Sequence, residues 1–380
     1  MDARTVTAGR IGSRERGVRS AALALLAGML LAACGAIEKA DYYWQGASGQ
    51  LDILARAKPI DDVIAESEDG ALAKRLTRVQ AIRAYASREL GLPDNPSYTR
   101  YSDLGRPFVV WNVFATPPLS LTARQWCFPV AGCVSYRGYF HEADARAEAA
   151  KLAAAGDDVF VSGVPAYSTL GYFNDPILST FVRWPEPELA RLVFHELAHQ
   201  IVYVKDDSVF NESFAAAVEE AGVERWLKSE GNPQLDAQFA RAQKQRALFR
   251  DLVRESRARL KRIYASAASE DDKREEKIAT FAAMKAAYER ARAGEPGMAG
   301  YDRWFAGYAN HGPNNASLAS VALYTAQVPA FRALLAQEGD DLIAFYARIR
   351  EIAARPRMER DAVLARAAAG AQTPVVSLAP

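Results

Sequence analysis

Apolar side chains recur three or four positions apart from Asp41 to about Leu92, as at Leu51 and Leu54. This spacing is typical of amphipathic helices. Gly91 and Pro93 follow the last of these positions and favour a helix end. The first part of the chain is therefore predicted to be helical.

The pattern changes to short runs of aromatic and β-branched residues between about residues 105 and 175. Runs of this kind, bounded by proline, favour β-strands. One helix is predicted among them, from His141 to Ala155, closed by Gly156. The predicted strands are Phe108–Phe114, Val134–Phe140, Val159–Val164 and an edge strand at Tyr167–Phe173. This order predicts a small mixed sheet.

Helical spacing returns at Pro187 and dominates the rest of the chain. The predicted helices are 187–204, 211–228, 235–268, 271–293, 318–337 and 342–354. Two of them form the pair at about 187–229, and the charged segments over 235–293 form a helical hairpin. The fold class predicted is α+β, mostly helical, in one domain spanning 34–370, with C-terminal helices to about 355 and an unstructured tail at 371–380.

Composition narrows the function only a little. The 380 residues are 50% apolar and 24% charged, and the formal net charge is +1. These fractions are those of ordinary folded proteins. A net charge this close to zero shows no excess of basic residues that would attract nucleic acid, so no nucleic-acid partner is predicted. Function must come from local sites.

The N-terminus departs from that balance. Residues 1–33 contain five arginines and only two acidic residues, Asp2 and Glu15. The apolar run Ala21–Ala33 follows the last of these arginines almost directly. The run is too short to span a bilayer comfortably but suits the core of a signal peptide. Small residues flank Cys34 after it, which resembles the lipobox of bacterial lipoproteins. A short membrane anchor and a plain secretory signal remain alternatives.

The lipobox resemblance implies that residues 1–33 are removed and that the acylated Cys34 attaches the chain to a lipid membrane. The protein would then face the periplasm of a bacterial cell envelope. Gly35 lacks the acidic side chain that suggests inner-membrane retention, so the outer membrane is favoured.

Two other cysteines, Cys127 and Cys133, lie close together in the sequence. An exported chain meets an oxidising compartment, which favours a disulfide between them. A zinc pair is the alternative, but it needs two more ligands, and the neighbourhood offers only His141.

The segment Leu192–Val202 carries the strongest chemical signal, because it contains His195, Glu196 and His199. The two histidines lie one helical turn apart, so both imidazoles project from one face and can reach one ion. In a His-Glu-x-x-His arrangement the histidines bind Zn²⁺ and the glutamate accepts a proton from the attacking water. Two incidental histidines are the alternative, although the chain has only four.

A catalytic zinc usually has three protein ligands. A helix antiparallel to the first would bring Glu212 back to the ion, and the segment Asn211–Ala215 resembles the third-ligand motif of the gluzincin metallopeptidases. That resemblance implies a gluzincin-like core with one Zn²⁺ held by His195, His199 and Glu212. It also implies that Glu219 supports a ligand histidine from behind.

The spacing departs from the gluzincin pattern. Twelve residues separate His199 from Glu212, where about eighteen or nineteen are usual in that family, so counting alone favours Glu219 as the ligand. A tight turn around Asp206 and Asp207 would allow the shorter connection. Glu212 as a helix-start residue is the purely structural alternative.

Over Trp44 to about Phe331 the chain resembles a family of bacterial lipoproteins described as predicted aminopeptidases. The matching segments are Cys127–Cys133, Val164–Gly171, His195–His199 and Asn211–Ala215. The resemblance implies a peptide substrate. The Gly-x-Met-Glu-Asn segment, with which better-known zinc aminopeptidases grip the substrate amine, is absent from the sequence.

The function predicted is therefore that of a zinc metallopeptidase, an aminopeptidase by resemblance, with Glu196 as general base. Tyr308, His311 and Tyr324 are candidates for the donor that stabilises the developing oxyanion. The edge strand at Tyr167–Phe173 would pair with an extended peptide. The alternative is a lipoprotein scaffold or assembly factor with a structural or vestigial metal, which the long charged helices motivate.

Overall fold

The computed structural model describes residues 40–128, 132–166, 169, 171–325 and 327–371. The chain divides into two compact units, Met1–Asp52 and Ile53–Pro380. The described part of the first unit, residues 40–52, is helical. The predicted signal peptide, Cys34 and the tail from residue 372 lie outside the described residues. In the described ranges, no helix combines the length and apolar character needed to cross a membrane.

The strands are short and form three small sheets. They are β1 (Lys58–Pro59), β2 (Arg100–Ser102), β3 (Val110–Thr116), β4 (Trp126–Phe128), β5 (Gly132–Val134), β6 (Arg137–Tyr139), β7 (Asp158–Val164) and β8 (Ile177–Leu178). Their orders are β1-β2-β8, β6-β3-β7 and β4-β5. Only the β2–β8 pair is parallel in the described chain.

The β6-β3-β7 sheet presents one face to the helices. Asn112 pairs with Ser162 and Phe114 with Phe160 along the antiparallel β3–β7 ladder. Because side chains alternate between the two faces of a strand, these four lie on one face. On that face Phe114 and Phe160 are buried and pack with Trp304 and Ala316 of the C-terminal helical region.

Helices make up most of the described chain. They are α1 (residues 40–56), α2 (Ile60–Glu66), α3 (Gly70–Arg88), α4 (Glu142–Ala154), α5 (Glu186–Ala198), α6 (Ser208–Glu230), α7 (Pro233–Ala265), α8 (Glu270–Gly294), α9 (Asp302–Ala306), α10 (Asn315–Thr325), α11 (Val328–Gln337), α12 (Leu342–Ala353) and α13 (Arg357–Ala371). Short 3₁₀ turns occupy Pro296–Tyr301 and Tyr308–Asn310. The predicted α+β, mostly helical class is confirmed.

The helices α5 and α6 run through the centre of the main core. Their apolar side chains, among them Val193, Phe194 and Phe214, are fully buried. Phe214 meets Phe331 of α11 and Phe345 of α12 at ring distances of 5.9 Å. Burial of most of their side chains restricts the movement of these two helices, as a metal site requires.

The predicted helix from Pro187 ends six residues early, at Ala198. Two hydrogen bonds between Asn211 and the backbone of Val204 stabilise the loop that follows instead. The Val204 amide donates to Oδ1 of Asn211 (2.7 Å), and Nδ2 of Asn211 donates to the Val204 carbonyl (2.8 Å). A helix continued to Val204 could not make this turn back towards α6.

Three further expectations need correction. The predicted helix 318–337 is two helices, α10 and α11, and α11 begins with Pro329 in its first turn. In place of an edge strand, residues 171–173 form a turn in which the Phe173 amide donates to Oγ1 of Thr169. Tyr167, Ser168 and Leu170 lie outside the described residues. Helix α13 was not predicted, and its Arg360 forms a buried ion pair with Asp207 at 2.7 Å.

The disulfide between Cys127 and Cys133 is confirmed and joins β4 to β5. This hairpin contacts the loop between α5 and α6, because the Cys133 amide donates to Oδ1 of Asp206. Gly132 permits the approach: its φ is +74°, and a Cβ there would lie 2.2 Å from that oxygen. The cysteine segment therefore supports the loop that returns the chain to Glu212.

Candidate metal centre

His195 and His199 lie at the C-terminal end of α5, with His199 as the residue that caps it. Their Nε2 atoms are 3.2 Å apart, and the two rings stand nearly perpendicular. Glu196, next to His195, is buried. One helical turn has thus placed both imidazoles on one face, as the spacing predicts.

Glu212 comes to the same point from the first turns of α6. Its Oε2 is 3.2 Å from Nε2 of His195 and 3.7 Å from Nε2 of His199. Asp207 caps α6 by accepting from the Phe210 amide, and its ion pair with Arg360 fixes that end of the helix. The short loop therefore delivers Glu212 despite the twelve-residue spacing.

Glu219 lies two turns further along α6 and meets the opposite side of the same imidazole. Its Oε2 accepts from Nδ1 of His195 at 2.8 Å, while Arg191 donates to its Oε1 at 2.6 Å. The structure brings Glu212, and not Glu219, within reach of both Nε2 atoms. The assignment of metal ligands stays a prediction. The observed positions agree with Glu212 as a ligand and with Glu219 as the residue that orients the His195 ring.

The three facing atoms fit a cation. With Nδ1 of His195 donating to Glu219, its Nε2 is the atom that either holds a second proton or presents a lone pair to a cation beside the Glu212 carboxylate. Two acceptors separated by only 3.2 Å repel each other unless positive charge lies between them. Tetrahedral ligands about 2.0 Å from Zn²⁺ lie about 3.3 Å apart, close to the separations observed in this triad of His195, His199 and Glu212.

The pKa values report the same demand for positive charge. Burial alone would lower the pKa of His195, but the hydrogen bonds to Glu212 and Glu219 outweigh it and raise that pKa to about 10. Burial opposes ionisation of Glu212 as well, yet the two histidines hold its pKa well below the usual range. A proton or a metal ion can satisfy such a cluster.

Glu196 differs from the three triad residues because burial raises the pKa of its carboxyl, against the opposing pull of both histidines. Asp175, from the loop before β8, adds to this effect through its negative charge. Asp175 is itself buried, which raises its pKa to about 6 although it accepts two hydrogen bonds from Thr169. A carboxylate tuned upward in this way suits proton transfer.

A chain of charged groups leads away from the triad. Arg191 joins Glu219 to Glu188, to which its Nε donates at 3.0 Å. Arg246 of α7 donates from Nη1 to both oxygens of Glu188 at 2.7 Å. The imidazole of His195 is therefore positioned by four further side chains, each fixed by the next.

Sequence reasoning missed Arg191, Asp175 and Tyr203. Arg191 stands one turn before His195 on the same face, so its spacing was available as a signal. Tyr203 lies in the loop after α5, where burial first and then the charges of Glu212 and Asp206 raise its pKa. Nothing in the sequence pattern alone places a loop tyrosine or Asp175 near this centre.

Of the predicted oxyanion donors, the structure describes the side chains of Tyr308 and His311. His311 is exposed, and neither it nor Tyr308 hydrogen-bonds to the triad in the part of the chain that the structure describes. The side chain of Tyr324 lies outside that part. The oxyanion donor therefore stays unassigned among these three.

The fold and the site define a mostly helical α+β protein in which two histidines and a glutamate converge as a candidate metal centre. The chain belongs to the family described as "Putative aminopeptidase", which it matches over residues 41–364. This confirms the likeness to a putative aminopeptidase family, and membership supports a peptidase-like function. The gluzincin and lipoprotein parts of the resemblance stay predictions. No curated protein and no solved structure matches the chain.

Proposed function

We propose that the protein is a zinc-dependent metallopeptidase of the gluzincin type that removes residues from the N-terminus of peptides. The observation that carries the proposal is the convergence of His195, His199 and Glu212 with a buried Glu196 beside them. Two imidazoles and one carboxylate form a donor set typical of catalytic zinc. Family membership supports the choice of peptides as substrates.

Zn²⁺ held by the triad would act as a Lewis acid towards the scissile carbonyl and the attacking water. Glu219 keeps the proton of His195 on Nδ1 and so leaves Nε2 free to bind. Glu196 accepts the proton of the attacking water on its carboxylate and passes it to the departing amine. The raised pKa of Glu196 favours the first transfer, because it makes the carboxylate a stronger base towards the attacking water.

Glu196→Gln tests this role directly. It keeps the size of the side chain and removes the basic oxygen, so zinc content should stay at one per chain while peptide hydrolysis falls about 10²- to 10⁴-fold. The measurement is mass-spectrometric digestion of a peptide mixture, with metal content determined on the same samples. Peptides shortened from the N-terminus identify aminopeptidase action.

Glu224→Gln is the matched control, because Glu224 lies on the exposed side of α6 and pairs with Arg332 at the surface. It should leave hydrolysis unchanged. Equal activity in wild type and Glu196→Gln would reject the enzymatic proposal in favour of the scaffold. The scaffold predicts instead that deleting the α7–α8 hairpin destroys biological function.

We also propose that the acylated Cys34 attaches the protein to the outer membrane, facing the periplasm. The support is the apolar run followed by small residues around this cysteine. Cells labelled with a fatty-acid analogue should yield a labelled wild-type chain and an unlabelled Cys34→Ser chain. Label retained by Cys34→Ser would contradict lipidation at this residue.

A further inference from the structure

Helix α1 exposes an apolar stripe along its whole length. Positions three and four apart share one face of a helix, and the residues that follow this spacing in α1 are all exposed and apolar. They are Ala40, Trp44, Ala47, Leu51 and Ala55. At 1.5 Å per residue, this stripe is about 22 Å long.

The large side chains on this face are among the most exposed apolar ones of the described chain. Trp44 is 73% exposed and Leu51 is 62% exposed, and Tyr43 beside the stripe is 49% exposed. Ile53 comes two positions after Leu51, on the opposite side of the helix, and is 2% exposed. A single exposed apolar residue needs no explanation, but a contiguous apolar surface marks a place where a protein or a membrane binds.

The sequence before α1 indicates which of these partners covers the stripe. Six residue steps separate Cys34 from Ala40. A connection of six steps reaches at most about 22 Å even when it is fully extended. An acylated Cys34 would therefore hold the first turn of α1 close to the surface of the bilayer.

The residue types of this face suit the boundary between water and lipid. Tryptophan and tyrosine are enriched there, because their rings are apolar while the indole N–H and the phenol O–H bond to headgroups and water. The charged residues of α1 lie together to one side of the stripe. They are Asp41, Asp52 and Arg56. Since the helix has no excess of basic residues, burial of apolar area and not attraction to anionic lipid must supply the binding.

We propose that the stripe of α1 lies on the surface of a lipid bilayer, a contact that rests on the lipid attachment proposed for Cys34. Trp44 and Leu51 are buried among the headgroups and the upper parts of the acyl chains, and the helix axis lies parallel to the membrane. An anchor at Cys34 alone would leave the protein free to rotate about it. The stripe fixes the orientation of α1 against the membrane.

Quenching of Trp44 fluorescence by brominated lipid tests this contact. The full chain is extracted from cell membranes with detergent and reconstituted into phosphatidylcholine vesicles, with or without bromine on the acyl chains. The chain has six tryptophans, so the difference between wild type and Trp44→Phe gives the share of Trp44. Brominated lipid should quench that share at least about twofold, because the ring reaches the acyl chains. Trp226→Phe is the control and should leave the quenching as in wild type, because Trp226 is 3% exposed.

Other results of the same experiment would overturn the proposal. Quenching of Trp44 by iodide in the water, and not by brominated lipid, would mean that the stripe faces solvent. If neither quencher reached Trp44, a second copy of the chain would cover the stripe instead.

The intact mass of the same samples reports whether Cys34 carries acyl chains, which separates the two proposals. An acylated chain whose Trp44 is not quenched by brominated lipid rejects the stripe contact and keeps the anchor. A chain without acyl groups whose Trp44 is quenched rejects the anchor and keeps the contact.

Leu51→Glu and Ile278→Glu form a matched pair of variants. Each places a carboxylate at an exposed aliphatic position of a helix, since Leu51 is 62% and Ile278 70% exposed. Ile278 lies on α8, in a stretch rich in charged residues. Leu51→Glu should reduce the quenching of Trp44 by brominated lipid several-fold, because a carboxylate enters the apolar part of a bilayer only at a high free-energy cost. Ile278→Glu should leave the quenching unchanged, and equal reduction by both variants would contradict a contact through the stripe.

Discussion

The α5–α6 pair and the α7–α8 hairpin contain the same charged residue types in opposite surroundings. In α5–α6, Arg191 and Glu219 meet at 2.6 Å with side chains 27% and 8% exposed. In the hairpin, Arg274 meets Glu270 at 2.7 Å with both side chains about half exposed or more. The distances are alike, and only the surroundings differ.

This difference decides what each pair can do. A buried charge that loses its partner has no water to replace it, so the remaining groups form a network in which every member positions the next. When an exposed ion pair is broken, water solvates both charges in place of the lost partner, so little stability is lost. Chemistry should therefore depend on α5–α6, whereas the hairpin should tolerate substitution of its charges.

The largest effect is expected for Arg191→Met, which removes the cation that lies between Glu188 and Glu219. Both carboxylates would then stay buried without it, and the free energy of unfolding should fall by about 3 kcal/mol. Urea unfolding followed by circular dichroism measures this. A loss below about 1 kcal/mol would mean that the buried network behaves like a surface pair.

The next effect concerns the metal and not the fold. Glu219→Gln weakens the bond that keeps the proton on Nδ1 of His195, so zinc affinity should fall about 10- to 100-fold. Competition with a chelator measures the affinity. Glu220→Gln is the control, because Glu220 lies next to it on α6 and pairs with Arg250 without touching His195. Equal losses in both variants would remove the specific role of Glu219.

A third prediction uses Asp175, whose pKa of about 6 lies above its ordinary value of 3.8 because the group is buried. The unfolded chain therefore loses this proton at lower pH than the folded chain, so burial of Asp175 destabilises the fold increasingly as the pH rises from about 4 to about 6. Asp175→Asn should flatten that part of the stability profile. At pH 7 it should gain about 1 kcal/mol after the weakened bonding to Thr169 is subtracted.

Urea unfolding at several pH values checks the prediction for Asp175. Asp271→Asn in the exposed first turn of α8 is the control and should leave the slope unchanged. An unchanged slope in Asp175→Asn would contradict the burial argument.

The features that could be predicted from the sequence are those that depend on residues close together in the chain, such as helical spacing and strand composition. The one-turn spacing of His195 and His199 placed both on one face, and the short strand Val159–Val164 was found nearly as expected. Helix α13 and the early end of α5 were missed, because apolar spacing does not report the bonds from Asn211 to Val204 that hold the loop after α5 or the contact that α13 makes with α6. Arg360 reaches Asp207 across 153 positions, and no local pattern contains that information.

The same limit explains the candidate site. Counting alone favoured Glu219 over Glu212, because it does not include the short loop between α5 and α6. That loop is held by the Asn211 bonds to Val204 and by the disulfide-linked hairpin against Asp206. Asp175 enters through a loop before β8. The residue types predicted metal chemistry, whereas tertiary contacts determine that Glu212 faces both Nε2 atoms and Glu219 lies behind His195.

The smallest effect is expected in the hairpin. Arg274→Met removes contacts with Glu270 and Asp271, whose side chains are 74% and 92% exposed. Because water solvates both carboxylates, the unfolding free energy should change by less than about 0.5 kcal/mol. The same urea titration as for Arg191→Met gives the comparison. A change as large as that of Arg191→Met would show that burial does not separate the two regions. The expected gap of several fold requires only that water solvates the carboxylates left by Arg274 far better than those left by Arg191, which are 17% and 8% exposed.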